Sequence, residues 1–267
     1  MTTTASEYSY CGTAVGGMLF LAMNVRVLPF GVLKDWLGAS ASSIELPEGA
    51  TVADLLNRLG NERTAPLLRG IAVGVNAEYA TASQVLHNGD EVALLPPVSG
   101  GAPAADEPAP QRELVSVSLT HERIPIEELV AHASAPEDGA VVIFDGRVRN
   151  NSRGRTTLYL DYEGYGEMAV RQLRELGVQA RARFGVHRVT IVHRLGHLEI
   201  GESSVLIVVT SGHRGQAFEA CRWIIDTLKQ TVPIWKRETF ADGAVWAPGE
   251  PFPAALAIDA SHPKSNA

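Results

Sequence analysis

Basic side chains carry the first chemical signal. Of 23 Lys and Arg residues in 267, only four are lysine: Lys34, Lys229, Lys236 and Lys264. Where arginine supplies most of the positive charge, a lysine held in a motif offers what guanidinium does not, an amine able to lose a proton. Lys229 closes a long helical run, and Lys236 follows Pro233 in the extended segment Ile234-Trp235-Lys236-Arg237-Glu238. The counter-reading is two ordinary surface lysines. Four arginines fall within nine residues, from Arg147 to Arg155, at the end of a β-rich run and in a Gly-containing loop. Guanidinium groups so placed suit phosphate or carboxylate recognition, and a solvated charged loop is the plain alternative. His213 and Arg214 stand at a strand-to-helix junction, where a helix N-terminus favours anions.

Elements to hold these groups are readable. In the first part, Met23–Leu28 reads as a strand, Gly31–Leu37 as a short helix and Ser43–Leu46 as a second strand. Thr51 caps a helix through Leu59, with Asp54 at N3, and Ile71–Val75 and Glu91–Leu95 are strands, the latter entered from an Asn88-Gly89-Asp90 turn. In the second part, strands are expected at Leu114–Leu119, Gly139–Val148, Leu158–Glu163, Val189–Leu195 and Val205–Thr210. Helices are expected near Pro125–Ala133, at Glu167–Arg183, with Met168, Leu173 and Val178 among its apolar positions, and at Gln216–Lys229. Between the parts lies Gly100–Gln111, rich in Ala, Pro and acidic residues and without apolar period, which reads as a flexible linker.

Composition bounds the classes. The hydrophobic content is 45% with 20% charged residues, enough for packed cores, and the formal charge is −7. That acidity, and the lack of aromatic residues interleaved with the arginine cluster, argue against a nucleic-acid binder. Cys11 and Cys221 have neither metal-type spacing nor a disulfide framework, so a reducing, cytoplasmic location is expected. Val15–Met23 is too short for a membrane span and lacks the basic region of a signal. Residues 1–22 read as a disordered extension. The expected organisation is then a domain over 23–101, a linker over 102–112 and a second domain over 113–267. No membrane or nucleic-acid partner is expected.

The first domain closes on Pro96-Pro97-Val98-Ser99-Gly100-Gly101, a tail stiffened by prolines and thin enough at its glycines to enter a narrow channel, or simply the start of a linker. The strand–helix order, the phrase NGDEVALLPPVSGG and the diglycine resemble the small, ubiquitin-like sulfur-carrier subunit of molybdopterin synthase, although a thiamin-pathway carrier shares that ending. The second domain resembles the large, catalytic subunit of the same family through FDGRVRN at Phe144–Asn150, TSGHRGQAFEA at Thr210–Ala220 and TLKQTVPIWKRE at Thr227–Glu238. The resemblance implies an α+β chain, a β-grasp domain linked to an α/β-hammerhead domain. It also implies a sulfurtransferase that turns cyclic pyranopterin monophosphate into molybdopterin, with sulfur delivered as the carrier's C-terminal thiocarboxylate and no tightly bound cofactor or metal.

Carried over by position, Lys229 and Lys236 are the expected catalytic residues. Arg147, Val148, Arg149, His213, Arg214, Arg237 and Glu238 are the expected substrate-binding residues, with Arg149, His213 and Arg214 holding phosphate and pterin. Arg147 stands where the family often has lysine. The implied partners are a second copy through the catalytic domain and an ATP-dependent carrier-activating enzyme. Because Gly101 is followed by Ala102, a thiocarboxylate also requires a protease cleaving after Gly101 and leaving a heterotetramer-like assembly. An uncleaved, catalytically silent scaffold or regulator is the rival. His187, His193, His197 and Glu199 crowd one region, but without a helix face to unite them they read as structural or surface residues rather than a metal site. Cys221 reads as a small core residue.

Overall fold

Alternating burial along β1 (Ala22–Pro29) begins the first core: Met23, Val25 and Val27 point inward while Asn24 and Arg26 face out. The computed structural model describes residues 22–38, 40–60, 68, 70–97 and 114–247. The expected linker, the diglycine and the segments 1–21 and 248–267 lie outside the described residues. A 3₁₀ turn at Gly31–Leu33 leads into α1 (Lys34–Leu37), and β2 (Ser42–Pro47) returns antiparallel to β1. The helix α2 (Val52–Leu59) opens on a reciprocal cap. The Asp54 amide donates to Thr51 Oγ1 at 3.3 Å, and the Thr51 amide donates to the Asp54 carboxylate at 2.8 Å.

β3 (Ala72–Val75), β4 (Glu78–Ala80) and β5 (Glu91–Leu95) complete a sheet of order β2-β1-β5-β3-β4. Its central pair, β1 and β5, is parallel and the other pairs are antiparallel. With α2 across one face, this is a β-grasp domain. β4 escapes a reading of the sequence because its turn, Asn76-Ala77, takes left-handed φ of 50° and 64° without a glycine to announce it. β3 and β5 lack alternation for a physical reason. Val73, Val75, Val92 and Leu94 face the α2 side, while Ala72, Ala93 and Leu95 meet Tyr165, Met168 and Trp235 of the second domain. A sheet covered on both faces has no use for a polar face.

The second domain is built on β6 (Val115–Thr120), β7 (Ala140–Arg147), β10 (Arg188–Arg194) and β12 (Ser203–Ser211), in the order β6-β10-β12-β7. α4 (Gly166–Phe184) and α5 (Arg214–Thr231) cover one face, and α3 (Ile126–Ala133) covers the other. Leu173, Leu176 and Ala180 carry the buried stripe of α4, and Val178, expected to share it, is only half-buried. A second sheet of β11 (Gly196–Glu199), β9 (Arg155–Gly164), β13 (Ile234–Phe240) and β14 (Gly243–Trp246) stands beside it. β8 (Asn151–Ser152) pairs with β9, so the expected arginine loop is a tight hairpin turning at Arg153-Gly154, φ 52° and 77°.

α4 crosses β6 so closely that a Cβ at Gly177 would lie 2.4 Å from Val115 Cγ1. Alanine there gains about 1 kcal/mol of helix propensity but overpacks the contact at a cost of about 1–3 kcal/mol. Gly177→Ala is therefore expected to lower the thermal midpoint, opposite to the usual effect of Gly→Ala inside a helix.

Candidate functional site

The C-terminal end of α5, the end of β7 and the faces of β9 and β13 surround a cavity of about 710 Å³. Both expected lysines reach it, Lys229 from the last turn of α5 and Lys236 from β13. They come together because Val232 and Pro233, both buried, turn the chain sharply from helix to strand. Glu238 lies two residues along the same face of β13, its carboxylate 2.9 Å from Lys236 Nζ. Burial alone would raise the Glu238 pKa, but the hydrogen bond and charge of Lys236 outweigh it and hold the group ionised and low. Arg147 and Arg149 line the cavity from the strand end, with Asp145 Oδ2 3.3 Å from Arg147 Nε.

Other expected residues fall elsewhere. Val148 is buried with Leu160 and Leu198, so its side chain supports the strand end rather than lining the cavity. Its backbone is fastened on both sides, the amide donating to Glu202 O at 2.9 Å and the carbonyl accepting from the Gly201 amide at 2.8 Å. Arg237 is exposed on the opposite face of β13, in register with Asp161. Of the remaining arginines in the cluster, Arg155 stacks over Phe240 at 3.7 Å and pairs with Asp242. His213 and Arg214 are exposed at the N-terminus of α5, roughly 24 Å along the helix from Lys229 at 1.5 Å per residue. Within one chain, His213 and Arg214 cannot hold the same phosphate as Arg149. The cavity adds residues that the sequence did not single out, Asn151, Ser152, Thr157 and Tyr162, and with them His193, which the sequence marked only as a structural or surface histidine.

The histidines have separate surroundings. His187 lies 2.7 Å from Asp138, His193 is buried, and His197 is exposed between Asp161 at 3.2 Å and Glu199 at 3.0 Å. Among the described residues no three metal-ligating side chains converge, and no helix is long and apolar enough to cross a membrane.

The β-grasp domain docks beside this cavity. Trp235, next to Lys236, is buried between the domains, stacked on Phe30 with ring centroids 5.2 Å apart and planes 19° apart. Its Nε1–H donates to Pro96 O at 3.3 Å. Around it, Lys34 pairs with Glu163 at 2.7 Å, Tyr165 OH donates to Glu91 at 2.8 Å and Arg171 pairs with Glu78 at 2.9 Å. Burial, joined by the hydrogen bond and charge of Glu91, pushes the Tyr165 hydroxyl well above its ordinary range. The chain leaving β5 is thus held at Pro96 against Trp235, itself one of the residues lining the cavity.

A β-grasp domain seated on an α/β domain beside a lysine-lined cavity is the arrangement of a sulfur carrier with its transferase. Residues 27–101 match the ThiS family, and residues 119–231 match the family described as MoaE protein. Over 136 residues the chain is 43% identical to a molybdopterin synthase catalytic subunit of Pyrococcus abyssi, a span of 51% of this chain and 92% of that one. The corresponding subunit of Arabidopsis thaliana is 37% identical over 144 residues, 54% of this chain and 73% of that one. The crystal structure of molybdopterin synthase from Staphylococcus aureus superimposes with a TM-score of 0.47 and 38% identity, covering 49% of this chain and 95% of that one. The chain belongs to the molybdopterin synthase catalytic-subunit family, with a ThiS-family domain fused ahead of it.

Glu202 is the fastening point of the strand end that bears Arg147 and Arg149. Its carboxylate accepts from the Glu199 amide and pairs with Arg194 at 2.9 Å and Arg123 at 3.0 Å, which together hold its pKa down. A lowered folded-state pKa contributes stability above the unfolded value and loses it as pH falls through the folded one. Glu202→Gln should thus be less stable than the parent in denaturant titrations at pH 7, and the gap should close in acid.

Proposed function

We propose that the chain is a molybdopterin synthase that works on its own carrier. Sulfur passes from a thiocarboxylate at Gly101 to cyclic pyranopterin monophosphate, installing the dithiolene of molybdopterin. The observation that carries this reading is the Trp235–Pro96 hydrogen bond, which fixes the carrier's exit strand beside Lys236. Gly101 lies five positions beyond Pro96, a reach of at most about 18 Å when fully extended. The thiocarboxylate sulfur attacks a carbon of the substrate side chain and forms an acyl thioester as that carbon's bond to oxygen breaks, the departing oxygen taking up a proton. Water then cleaves the carbonyl–sulfur bond, leaving sulfur on the substrate and a carboxylate on the carrier. Two carriers act in turn, one sulfur each. Lys229 and Lys236 shuttle protons and stabilise developing negative charge, and Arg147 and Arg149 hold the phosphate. No metal or tightly bound cofactor enters this reading, which places the reaction in the cytoplasm.

The peptide bond between Gly101 and Ala102 blocks the thiocarboxylate, so a protease must cut there before an ATP-dependent enzyme activates the carrier. Intact mass spectrometry of active protein from its native host is expected to show two fragments, the smaller ending at Gly101 and carrying a sulfur-for-oxygen increase. Activity in a preparation containing only the full 28.6 kDa chain would refute cleavage and favour direct action of the uncut chain.

His213 and Arg214 enter the site through a second copy. β7 is an edge strand of its sheet, with Val141 and Ile143 exposed along it. Antiparallel pairing of β7 with its twofold mate exchanges the strand's ends, setting Ala140 of one copy beside Arg147 of the other. Ala140 pairs with Ser211, so the His213-Arg214 corner travels with that end toward the other copy's cavity. The test is complementation. Lys229→Ala and His213→Ala should each lose about 10²-fold or more of dithiolene formation. Mixing the two after subunit exchange should restore part of it, because one cavity in each mixed dimer is complete. Failure of the mixture to recover would mean that a single chain supplies both residues and would overturn the exchange.

A further inference from the structure

Val189 and Ile191 point from β10 into the core beneath α4 and α5, and the next residue in that series is His193. A buried imidazole there costs desolvation that a third aliphatic residue would not. The packing makes room for it. Its cross-strand neighbours are Val205 and, beyond that, Gly146, where a Cβ would come within 2.6 Å of Val205 Cγ1. The ring is 5% exposed, meets Tyr162 edge-on with centroids 5.1 Å apart, and forms part of the cavity wall with Lys229 and Lys236.

One ring nitrogen is committed. Nδ1 lies 2.9 Å from Arg194 O, a carbonyl that can only accept, so Nδ1 carries the proton. Burial pushes the ring's pKa down to about 4, which keeps it neutral at pH 7. Nε2 is then an acceptor, and it makes no hydrogen bond to any described residue. Beside Lys229, Lys236, Arg147 and Arg149 and the carboxylates of Asp145 and Glu238, Nε2 is a neutral acceptor in the cavity wall.

We propose that His193 is a substrate-binding residue whose Nε2 accepts a hydrogen bond from an N–H or O–H of the molecule filling the cavity. The identity of that molecule rests on the reaction proposed above, since a pterin ring presents N–H donors. Lysines and arginines anchor the anionic end of such a substrate, and His193 reads its donor-bearing end.

Steady-state turnover of cyclic pyranopterin monophosphate by the cleaved, thiocarboxylated protein, with thermal melting of each variant, tests the assignment. His193→Asn keeps an N–H for Arg194 O and removes the acceptor. His193→Gln carries a carbonyl to the Nε2 position and abandons Arg194 O. The expected result is a KM raised about tenfold in His193→Asn, with the loss falling on KM rather than kcat, and largely rescued in His193→Gln. The reverse order, with Gln worse than Asn, or an unchanged KM in both, would assign the ring a purely structural role and overturn the proposal. Should His193→Asn fail to melt cooperatively, His193→Leu, which continues the aliphatic series and removes the acceptor, takes its place: a tenfold rise in KM rescued in His193→Gln sustains the proposal and a parental KM removes it. An inactive parent would bring down the reaction and this inference together, whereas an active parent with unchanged variants removes this inference only.

Discussion

The insertion of Trp235 between the two domains is the contact on which the rest depends. One side chain stacks on Phe30, donates to Pro96 O and fixes the backbone one residue before Lys236. The docking of the first domain, the position of Pro96 at the end of β5 and the placement of Lys236 in the cavity wall therefore share a single rigid element. An aromatic ring suits that task, since it buries a large area for the loss of only two rotatable bonds and its indole N–H still finds a partner. Gly31 completes the joint. Its φ of +51° is open to few other residues, and a Cβ there would lie 3.0 Å from Pro96 and 3.3 Å from Trp235.

Around that joint the second domain works as two sheets that meet at a cavity. α5 brings Lys229 to it at one end and holds His213 and Arg214 at the other, so the helix is a spacer as much as a core element. β7 has the same duality, with Arg147 at the cavity and Ala140 against the His213 corner. The separation of His213 and Arg214 from the lysines thus follows from helix length alone. A linear motif carries no such information, and residues that stand together in a family pattern can serve different copies of the chain.

Much of the fold was legible because local chemistry and tertiary packing agree. The Thr51–Asp54 cap, the Asn88-Gly89-Asp90 turn and the Pro233 break lie where their residue types place them. Where they disagree, the reason is specific. β4 and the β8–β9 hairpin depend on left-handed residues at Asn76, Ala77 and Arg153, for which only Asn is a common choice. Val148 sits between two cavity arginines in sequence, yet strand alternation turns it into the core. His193 was noticed in the sequence, but only as one of a crowd of histidines. The commitment of its Nδ1 to the carbonyl of Arg194 and its place in the cavity wall come into view only in the packed sheet. Lys229 and Lys236 were singled out by the family motif they stand in, and the scarcity of lysine in this chain sharpened that reading.

The covered outer face of β3 and β5 has a consequence for turnover. Fusing donor and acceptor in one polypeptide delivers them at strict one-to-one stoichiometry and raises the local concentration of the donor, as a short tether does. Yet the proposed product needs two sulfurs, and each carrier holds one. In the proposed reaction, a spent carrier seated through Ala72, Ala93 and Leu95 would block its successor, so this apolar seat would have to open between the two transfers. The interface proposed to present the donor is then also the one that has to release it.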